Sequence, residues 1–278
     1  MEIVIPNRLT ILGHPQRLAL FRLLMRRYPD RVPASDLARA LELKANTLST
    51  YVGALMKADL VTQERVGTSL RYAINMDTVR DTFDYLLRDC CRGRPEVCAP
   101  LDTLFAENDR AERMYKVLFI CTGNSARSIF AESILRKVAG DRFLAYSAGT
   151  KPKSELNPFA LDVLAQKGHD ISVLEAKNIA VFQGDDAPDF DFVFTVCDEA
   201  ANEECPAWRG QPVSAHWGLP DPGKATGSSS EKSLVFHETY DALLNRTRSF
   251  SSLPVTSLDR LALQQAVDEI ATQNQGTS

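Results

Sequence analysis

From Lys116 onward the sequence alternates short apolar runs with amphipathic segments, and this alternation constrains the fold more than any other feature. The segment SARSIFAESILRKVAG (125–140) places apolar residues at helical spacing and ends at a glycine. Because alternating strands and helices build parallel sheets, we expect an α/β domain with a four-stranded parallel sheet and helices on both faces. The strands are predicted at residues 116–121, 143–149, 190–197 and 212–217.

The N-terminal part has a different pattern, dominated by helical periodicity. Residues 33–43 and 45–61 predict two helices joined by a short turn, and alternation around Gly67 predicts a β-hairpin at 60–75. This order of elements is that of a mainly α winged helix-turn-helix domain, whose second helix enters the DNA major groove. Flanking helices are predicted at residues 9–27 and 77–91.

The length of the chain, 278 residues, favours two domains because one hydrophobic core seldom holds so many. We predict a DNA-binding and sensing domain at 1–98, a linker at 99–115 and an α/β domain at 116–278. With no run of eighteen apolar residues and no charged-then-apolar leader, the sequence predicts a cytoplasmic protein without a membrane partner. For residues 251–278 we expect only a docking or surface helix.

Charge is divided unevenly along the chain. Residues 1–100 carry 15 Lys and Arg against 11 Asp and Glu, a net charge of +4, whereas the whole chain carries −4. A basic N-terminal part permits a nucleic-acid partner, although a helical domain used only for dimerisation has the same pattern. Side chains on the second helix and the hairpin can bond base edges or phosphates. These candidates are Lys44, Asn46, Thr47, Ser49, Thr50, Tyr51, Arg65 and Arg71.

The cysteines fall into two groups of three along the chain. They are Cys90, Cys91 and Cys98, and then Cys121, Cys197 and Cys205. In a reducing compartment cysteines are more often reactive or ligating than structural. Three thiols within nine residues suit a trigonal thiophilic centre such as arsenic(III) or antimony(III), because zinc takes four ligands and usually a C-x2-C pair. The alternative is three incidental cysteines near a helix end.

Residues 8–98 resemble the ArsR-type metalloid-responsive repressors through HPQRLALFRLL, SDLARALEL, TLSTYVGALMKADLV and RDCCRGRPEVC. The resemblance implies a homodimer, formed through this domain, that binds operator DNA. It also implies release of the DNA when arsenite binds Cys90, Cys91 and Cys98. Thr50 and Tyr51 stand where many relatives have a basic or imidazole pair, so the operator sequence does not carry over.

Cys121 lies between a predicted strand and a predicted helix, in the sequence CTGNSARS. Backbone N–H groups and the helix dipole at such a position favour the thiolate, which makes Cys121 a candidate nucleophile for an oxyanion. Arg127, six residues later, offers a planar fork to a tetrahedral oxyanion. A buried structural cysteine is the alternative. The candidate oxyanion-binding residues are Thr122, Gly123, which allows a tight loop, Asn124, Ser125, Ala126, Arg127 and Ser128.

Two further features complete the predicted chemistry. Asp221, in HWGLPDP after the fourth strand, is a candidate acid for the leaving oxygen. A phosphatase has no use for Cys197 and Cys205 beside such a site. A reductase does, because a second thiol can attack the arsenylated sulfur and leave a disulfide while arsenite departs.

The second region resembles the thioredoxin-coupled arsenate reductases of the low-molecular-weight tyrosine phosphatase fold, through VLFICTGNSARSIFAE, YSAGT, NPFALDVLAQKG, FVFTVCDEA and HWGLPDP. The resemblance implies that Cys121 attacks arsenate, Asp221 protonates the departing oxygen, Cys197 attacks Cys121 and Cys205 attacks Cys197. Thioredoxin then reduces the Cys197–Cys205 disulfide, and no tightly bound cofactor is needed.

Three departures from those relatives are visible. Ala126 replaces a cysteine that no step above requires, and the interval from Cys197 to Cys205 is one residue longer. Some relatives hold potassium near the loop, where Asn124, Glu132 and Ser147 fit three positions and Lys177 the fourth; the Lys177 ammonium would replace the cation. Two rival functions stay open: a tyrosine phosphatase with a regulatory DNA-binding domain, and a repressor whose second domain only senses an oxyanion or redox state.

Overall fold

The computed structural model describes residues 4–92, 114–184, 186–203 and 208–272. The chain divides into two compact units, residues 1–106 and 107–278, and this division falls within the predicted linker. Cys98 and Cys205 lie outside the described residues. Of the helices in the described ranges, none has the length and apolar character needed to cross a bilayer.

The first unit is a helical domain with a small antiparallel sheet. The predicted helix at 9–27 is in fact two helices, because the chain breaks at Gly13 and His14 and restarts with Pro15 at the first helical position. The helices are α1 (Val4–Leu12), α2 (Pro15–Arg26), α3 (Ala34–Ala40), α4 (Ala45–Lys57) and α5 (Met76–Tyr85). The strands β1 (Val32–Pro33), β2 (Val61–Val66) and β3 (Ser69–Ile74) pair in the order β1-β3-β2.

Helices α3 and α4 form the predicted helix-turn-helix pair, and β2 and β3 form the predicted hairpin. Gly67 has a positive φ of 61°, which the two-residue turn of the hairpin requires. Strand β1 was not predicted; it is two residues long and pairs through Val32 with Tyr72. After α5 a π-helical turn, Leu86–Cys90, carries the first of the cysteines predicted to bind arsenite. The winged helix-turn-helix prediction is confirmed at the level of the fold.

The second unit has the predicted four-stranded parallel sheet. Its order β5-β4-β6-β7 puts the strand that ends at Cys121 in the interior of the sheet, where both faces are covered. The strands are β4 (Tyr115–Cys121), β5 (Phe143–Gly149), β6 (Phe192–Thr195) and β7 (Val213–His216). The helices are α6 (Arg127–Ala139), α7 (Pro158–Gln166), α8 (Asp198–Asn202), α9 (Ser229–Ser251) and α10 (Arg260–Thr272).

Helix α10 corrects the expectation for the end of the chain. It is part of the core, since Leu263 and Val267 are fully buried and the Trp217 indole donates a hydrogen bond to the Val267 carbonyl at 3.3 Å. The Gln264 side chain also bonds the backbone of Ser214 on the edge strand β7, donating to its carbonyl at 2.7 Å. The helix therefore covers an edge that would otherwise be open to pairing with another chain.

Candidate active site

Cys121 ends strand β4, and its sulfur lies at the mouth of the loop that leads into α6. The residue is buried, with 2% of its surface exposed. The backbone N–H of Asn124 donates to the sulfur at 3.1 Å, and the Ser128 hydroxyl lies 3.0 Å from it. The sulfur thus lies within hydrogen-bonding distance of one backbone N–H and one hydroxyl at the start of the loop.

Asn124 braces this loop from the inside and is fully buried. Its amide donates to the Ser128 hydroxyl at 2.9 Å and to the Ser147 hydroxyl at 2.8 Å, and its side-chain oxygen accepts from the backbone N–H of Lys177 at 2.6 Å. Three partners from three parts of the chain therefore fix one side chain. The loop bends at Asn124 itself, which has a positive φ of 41°.

Gly123, expected to permit the tight loop, is not the glycine that the geometry demands. A Cβ at Gly123 would meet only ordinary contacts, 3.5 Å from Ser125 Oγ. A Cβ at Gly149, the end of strand β5, would lie 2.7 Å from the Thr122 carbonyl oxygen and 3.0 Å from Asn124 Cβ. The sequence pattern places Gly149 in a strand and does not predict that the Thr122 loop packs so closely against it. The available signal was a glycine at the end of a strand, in YSAG, where another part of the backbone can approach.

The Lys177 ammonium does not occupy the position expected from the sequence. It lies 3.3 Å from the Glu175 carbonyl oxygen, and only the backbone of Lys177 contacts Asn124. The buried Glu132 carboxylate is instead paired with Arg136 at 2.5 Å, and it accepts a hydrogen bond from Ser147 at 2.5 Å. Arg136, one helical turn further along α6, is thus a cationic partner of this carboxylate.

Arg127 and Asp221 face each other across the site. Their closest nitrogen and oxygen lie 3.4 Å apart, and a second guanidinium nitrogen donates to the Leu219 carbonyl at 2.9 Å. Asp221 caps a short 3-10 turn through Gly223, whose N–H donates to its carboxylate at 3.0 Å. The structure thus brings the predicted arginine and the predicted acid together at the carboxyl end of the sheet.

Cys197 lies beside the nucleophile loop, as the N-terminal cap of α8. Its sulfur lies 3.4 Å from the Thr122 hydroxyl and accepts from the Ala200 N–H at 3.5 Å. Burial raises the pKa of the Cys197 thiol, and the nearby Cys121 raises it further, whereas Arg127 and these two hydrogen bonds lower it. Both thiols are reduced, and each is almost fully buried.

The predicted DNA-contacting residues divide by exposure. Tyr51 is partly buried, because its ring lies 5.1 Å from the ring of His14 and packs against the domain core. The Thr50 hydroxyl is exposed but bonds the Asn46 carbonyl of its own helix at 3.0 Å. Thr47 and Arg71 are partly buried. The remaining candidates, Lys44, Asn46, Ser49 and Arg65, are exposed.

Two of the three cysteines predicted to bind arsenite lie at the end of the π-helical turn after α5. Cys90 is exposed, Cys91 is partly buried, and both are reduced. The two are therefore accessible to a thiophilic ion. The third predicted ligand, Cys98, belongs to the undescribed segment 93–113.

The family model for the low molecular weight phosphotyrosine protein phosphatases matches residues 116–263, more than half of the chain. The chain belongs to that family. A second model, for a helix-turn-helix domain, matches residues 12–64. The chain is thus a fusion of a helix-turn-helix domain with a phosphatase-fold domain.

Within the family the similarity is to arsenate reductases. The arsenate reductase of Bacillus subtilis (strain 168) is 35% identical over 135 residues, which span 49% of this chain and 94% of that protein. That of Halalkalibacterium halodurans is 37% identical with the same coverage. Among solved structures, a thioredoxin-dependent arsenate reductase of Corynebacterium glutamicum aligns with a TM-score of 0.37 at 22% identity, covering 77% of this chain and 90% of its own. The sequence relatives identify an arsenate-reductase-like domain.

Proposed function

We propose that the chain couples a thiol-relay arsenate reductase to an arsenite-responsive transcriptional repressor. The observation that carries the first half is the position of Cys197, a second buried thiol that touches the nucleophile loop through Thr122. A phosphatase needs Cys121, Arg127 and Asp221 but has no step for this thiol. The relatives from Bacillus subtilis and Halalkalibacterium halodurans, which this chain matches over 94% of their length, are arsenate reductases.

In the first step the Cys121 thiolate attacks the arsenic atom of arsenate. The Arg127 guanidinium and the N–H groups from Thr122 to Ser128 bind the oxyanion, because the loop leads into the positive end of α6. Asp221 gives its proton to the departing oxygen, which leaves as water. The product is a Cys121–arsenic(V) thioester.

In the second step the Cys197 thiolate attacks the sulfur of Cys121. The sulfur–arsenic bond breaks, and its electron pair stays on arsenic, which leaves as arsenite in the +3 state. The two electrons come from the two sulfurs, which now form a Cys121–Cys197 disulfide. Cys205 then attacks Cys197, frees the Cys121 thiolate and leaves a Cys197–Cys205 disulfide.

A dithiol protein must reduce that last disulfide. We assign this role to thioredoxin because exchange between dithiols returns two electrons per cycle without a bound cofactor. The relay moves the disulfide away from the buried Cys121 toward a segment next to the short helix α8.

The N-terminal unit is proposed to bind operator DNA as a homodimer. Lys44 at the N-terminal cap of α4, Asn46 and Ser49 on α4, and Arg65 on β2 are exposed and could bond bases and phosphates. The matched helix-turn-helix model, residues 12–64, includes the first three. Helices α1 and α5 contact each other, since Arg8 donates to Thr82 at 3.1 Å. Each also exposes large apolar side chains that a partner copy would cover, namely Val4, Leu9 and Phe83.

Cys90, Cys91 and Cys98 are the proposed arsenite ligands. The first two follow α5 directly, so ion binding would constrain the end of a helix that carries the proposed dimer face. Arsenite made by the second unit is the ligand of this sensor, so one chain would hold both the source and the reader of the signal.

Arsenate-dependent NADPH oxidation in the presence of thioredoxin and thioredoxin reductase tests the reductase. We expect turnover by the wild-type chain and none by Cys197→Ser. Hydrolysis of p-nitrophenyl phosphate is the matched control, since it needs the Cys121 loop but no relay, and it should survive in the variant. Equal arsenate turnover by both proteins would refute the relay. Absence of arsenate turnover with retained hydrolysis in both would favour the phosphatase.

The repressor half is tested by selecting duplexes from a random-sequence pool and measuring their affinity by fluorescence anisotropy. Arsenite should weaken binding by the wild type and leave the Cys90→Ser, Cys91→Ser double variant unaffected. If arsenite weakened DNA binding by both proteins, or by neither, the proposed sensor would be contradicted.

A further inference from the structure

His216, the last residue of strand β7, has both ring nitrogens in hydrogen bonds although it belongs to no step above. It is 1% exposed. Its Nδ1 lies 2.8 Å from the Thr195 hydroxyl at the end of β6, and its Nε2 lies 3.2 Å from the Asp198 carboxylate. The ring therefore joins the ends of two neighbouring strands to Asp198, the first residue of α8.

Asp198 directly follows Cys197, so this contact also affects the position of the Cys197 thiol. Helix α8 has only five residues, and a helix that short does not hold itself together in water. Its first residue is fixed by a buried ring on a rigid strand, so the contact also fixes the backbone that carries the Cys197 sulfur.

The chain makes room for this contact at Gly218. A Cβ there would lie 2.5 Å from His216 Nε2 and 2.6 Å from the Asp198 carboxylate oxygen. Real Cβ atoms do not approach other atoms so closely, so any other residue would push the two partners apart. The glycine, the histidine and the aspartate thus form one unit, which we call the α8 latch.

The first thiol exchange depends on where the latch holds Cys197. Cys197 must stay beside Thr122 to reach the Cys121 sulfur, so a fixed backbone raises the rate through proximity. The latch therefore favours this exchange.

We propose that His216 and Asp198 are positioning residues of the reductase, which hold Cys197 in place for its attack on the arsenylated Cys121. This proposal rests on the thiol relay proposed above. His216 acts through Asp198, and neither touches the oxyanion or the reacting sulfur atoms. The hydrogen bond between them, rather than the charge of the carboxylate, carries the effect, because an imidazole N–H can donate to any acceptor oxygen at that place.

The test uses the full chain with Cys205→Ser, in which the relay stops at the Cys121–Cys197 disulfide. Stoichiometric arsenate is added to the reduced protein, and the disulfide is followed by acid quench, alkylation and mass spectrometry. Asp198→Ala should slow its formation about three- to tenfold, the factor that one ordinary hydrogen bond supplies. Asp198→Asn, which keeps an acceptor oxygen, should stay within about twofold of the parent.

Hydrolysis of p-nitrophenyl phosphate should be unchanged in all three proteins, which separates positioning of Cys197 from loss of fold. If the Cys205→Ser parent formed no disulfide, both the relay and the latch would be contradicted. If the parent and Asp198→Ala formed the disulfide at the same rate, the latch alone would be contradicted. Equal slowing by Asp198→Ala and Asp198→Asn would also overturn it, since charge would then be responsible.

Discussion

The Thr122 hydroxyl lies 3.4 Å from the Cys197 sulfur, so the loop that holds the proposed nucleophile contacts the second thiol in the reduced chain. This hydroxyl is among the groups that lower the pKa of Cys197 against the raising effect of burial. Because the thiolate is the attacking species, the contact has a direct kinetic consequence.

Replacing Thr122 by alanine should raise the pKa of Cys197 further and slow arsenate turnover about three- to tenfold near pH 7. The loss should shrink as the pH rises, since more Cys197 then ionises unaided. The pH profile of thioredoxin-coupled turnover measures this. Thr122→Ser keeps the hydroxyl and should match the wild type; a profile of Thr122→Ala that keeps the wild-type shape would contradict the assignment.

Asp221→Asn should lower both arsenate turnover and p-nitrophenyl phosphate hydrolysis, by about 10²- to 10⁴-fold, because the leaving oxygen loses its proton donor. Asparagine preserves the side-chain oxygen that accepts from Gly223, so the 3-10 turn should persist. Steady-state rates of both reactions are the measurement. Retention of either reaction at the wild-type rate would remove Asp221 from the role of acid.

Gly149→Ala should disable the site without unfolding the unit. Its new Cβ would press on the Thr122 carbonyl at 2.7 Å and on Asn124, and so displace the loop around Cys121. Gly184→Ala, whose Cβ would have no atom within 4 Å, is the matched control. Both reactions should fall at least about tenfold in the first variant only. Full activity of Gly149→Ala would show that the loop tolerates the intrusion.

Asp268, on helix α10, gives a stability prediction with a defined sign. Burial raises its pKa to about 7, partly offset by a hydrogen bond from Gln264. The folded state then binds more protons than the unfolded state between about pH 4 and pH 7, so stability falls as the pH rises through that window.

Asp268→Asn should therefore raise the free energy of unfolding at pH 8 by on the order of 1–2 kcal/mol, discounted for partial exposure. At pH 4.5 it should change little. Urea denaturation at the two pH values measures the difference. An equal effect at both would show that the carboxyl does not titrate in this range.

Much of the fold was predictable because its signals are local. The run KVLFIC before small residues and an amphipathic helix defines the central strand and the helix N-terminus that meets Cys121. The wing was visible through Gly67. The role of α10 was not, since its amphipathic pattern does not say whether the apolar face meets this chain or another, and only the contact between Trp217 and Val267 decides it.

The residues of the candidate site also differ in how far the sequence predicts them. Cys121, Arg127 and Asp221 follow from motif and strand order. The position of the Lys177 ammonium was not predictable in this way: its backbone N–H donates to Asn124, while its ammonium donates to the Glu175 carbonyl. Side-chain direction of this kind depends on three-dimensional packing. The His216–Asp198 contact joins residues eighteen positions apart in two separate motifs, and neither motif by itself indicates that the two side chains meet.

The most direct test of the central claim is a single turnover without any external reductant. Fully reduced wild-type protein receives excess arsenate, and arsenite, free thiols and disulfide-linked peptides are quantified. The thiol relay predicts one arsenite per chain, loss of two thiols and a Cys197–Cys205 disulfide. No arsenite, or arsenite formed with all six cysteines still reduced, would contradict it.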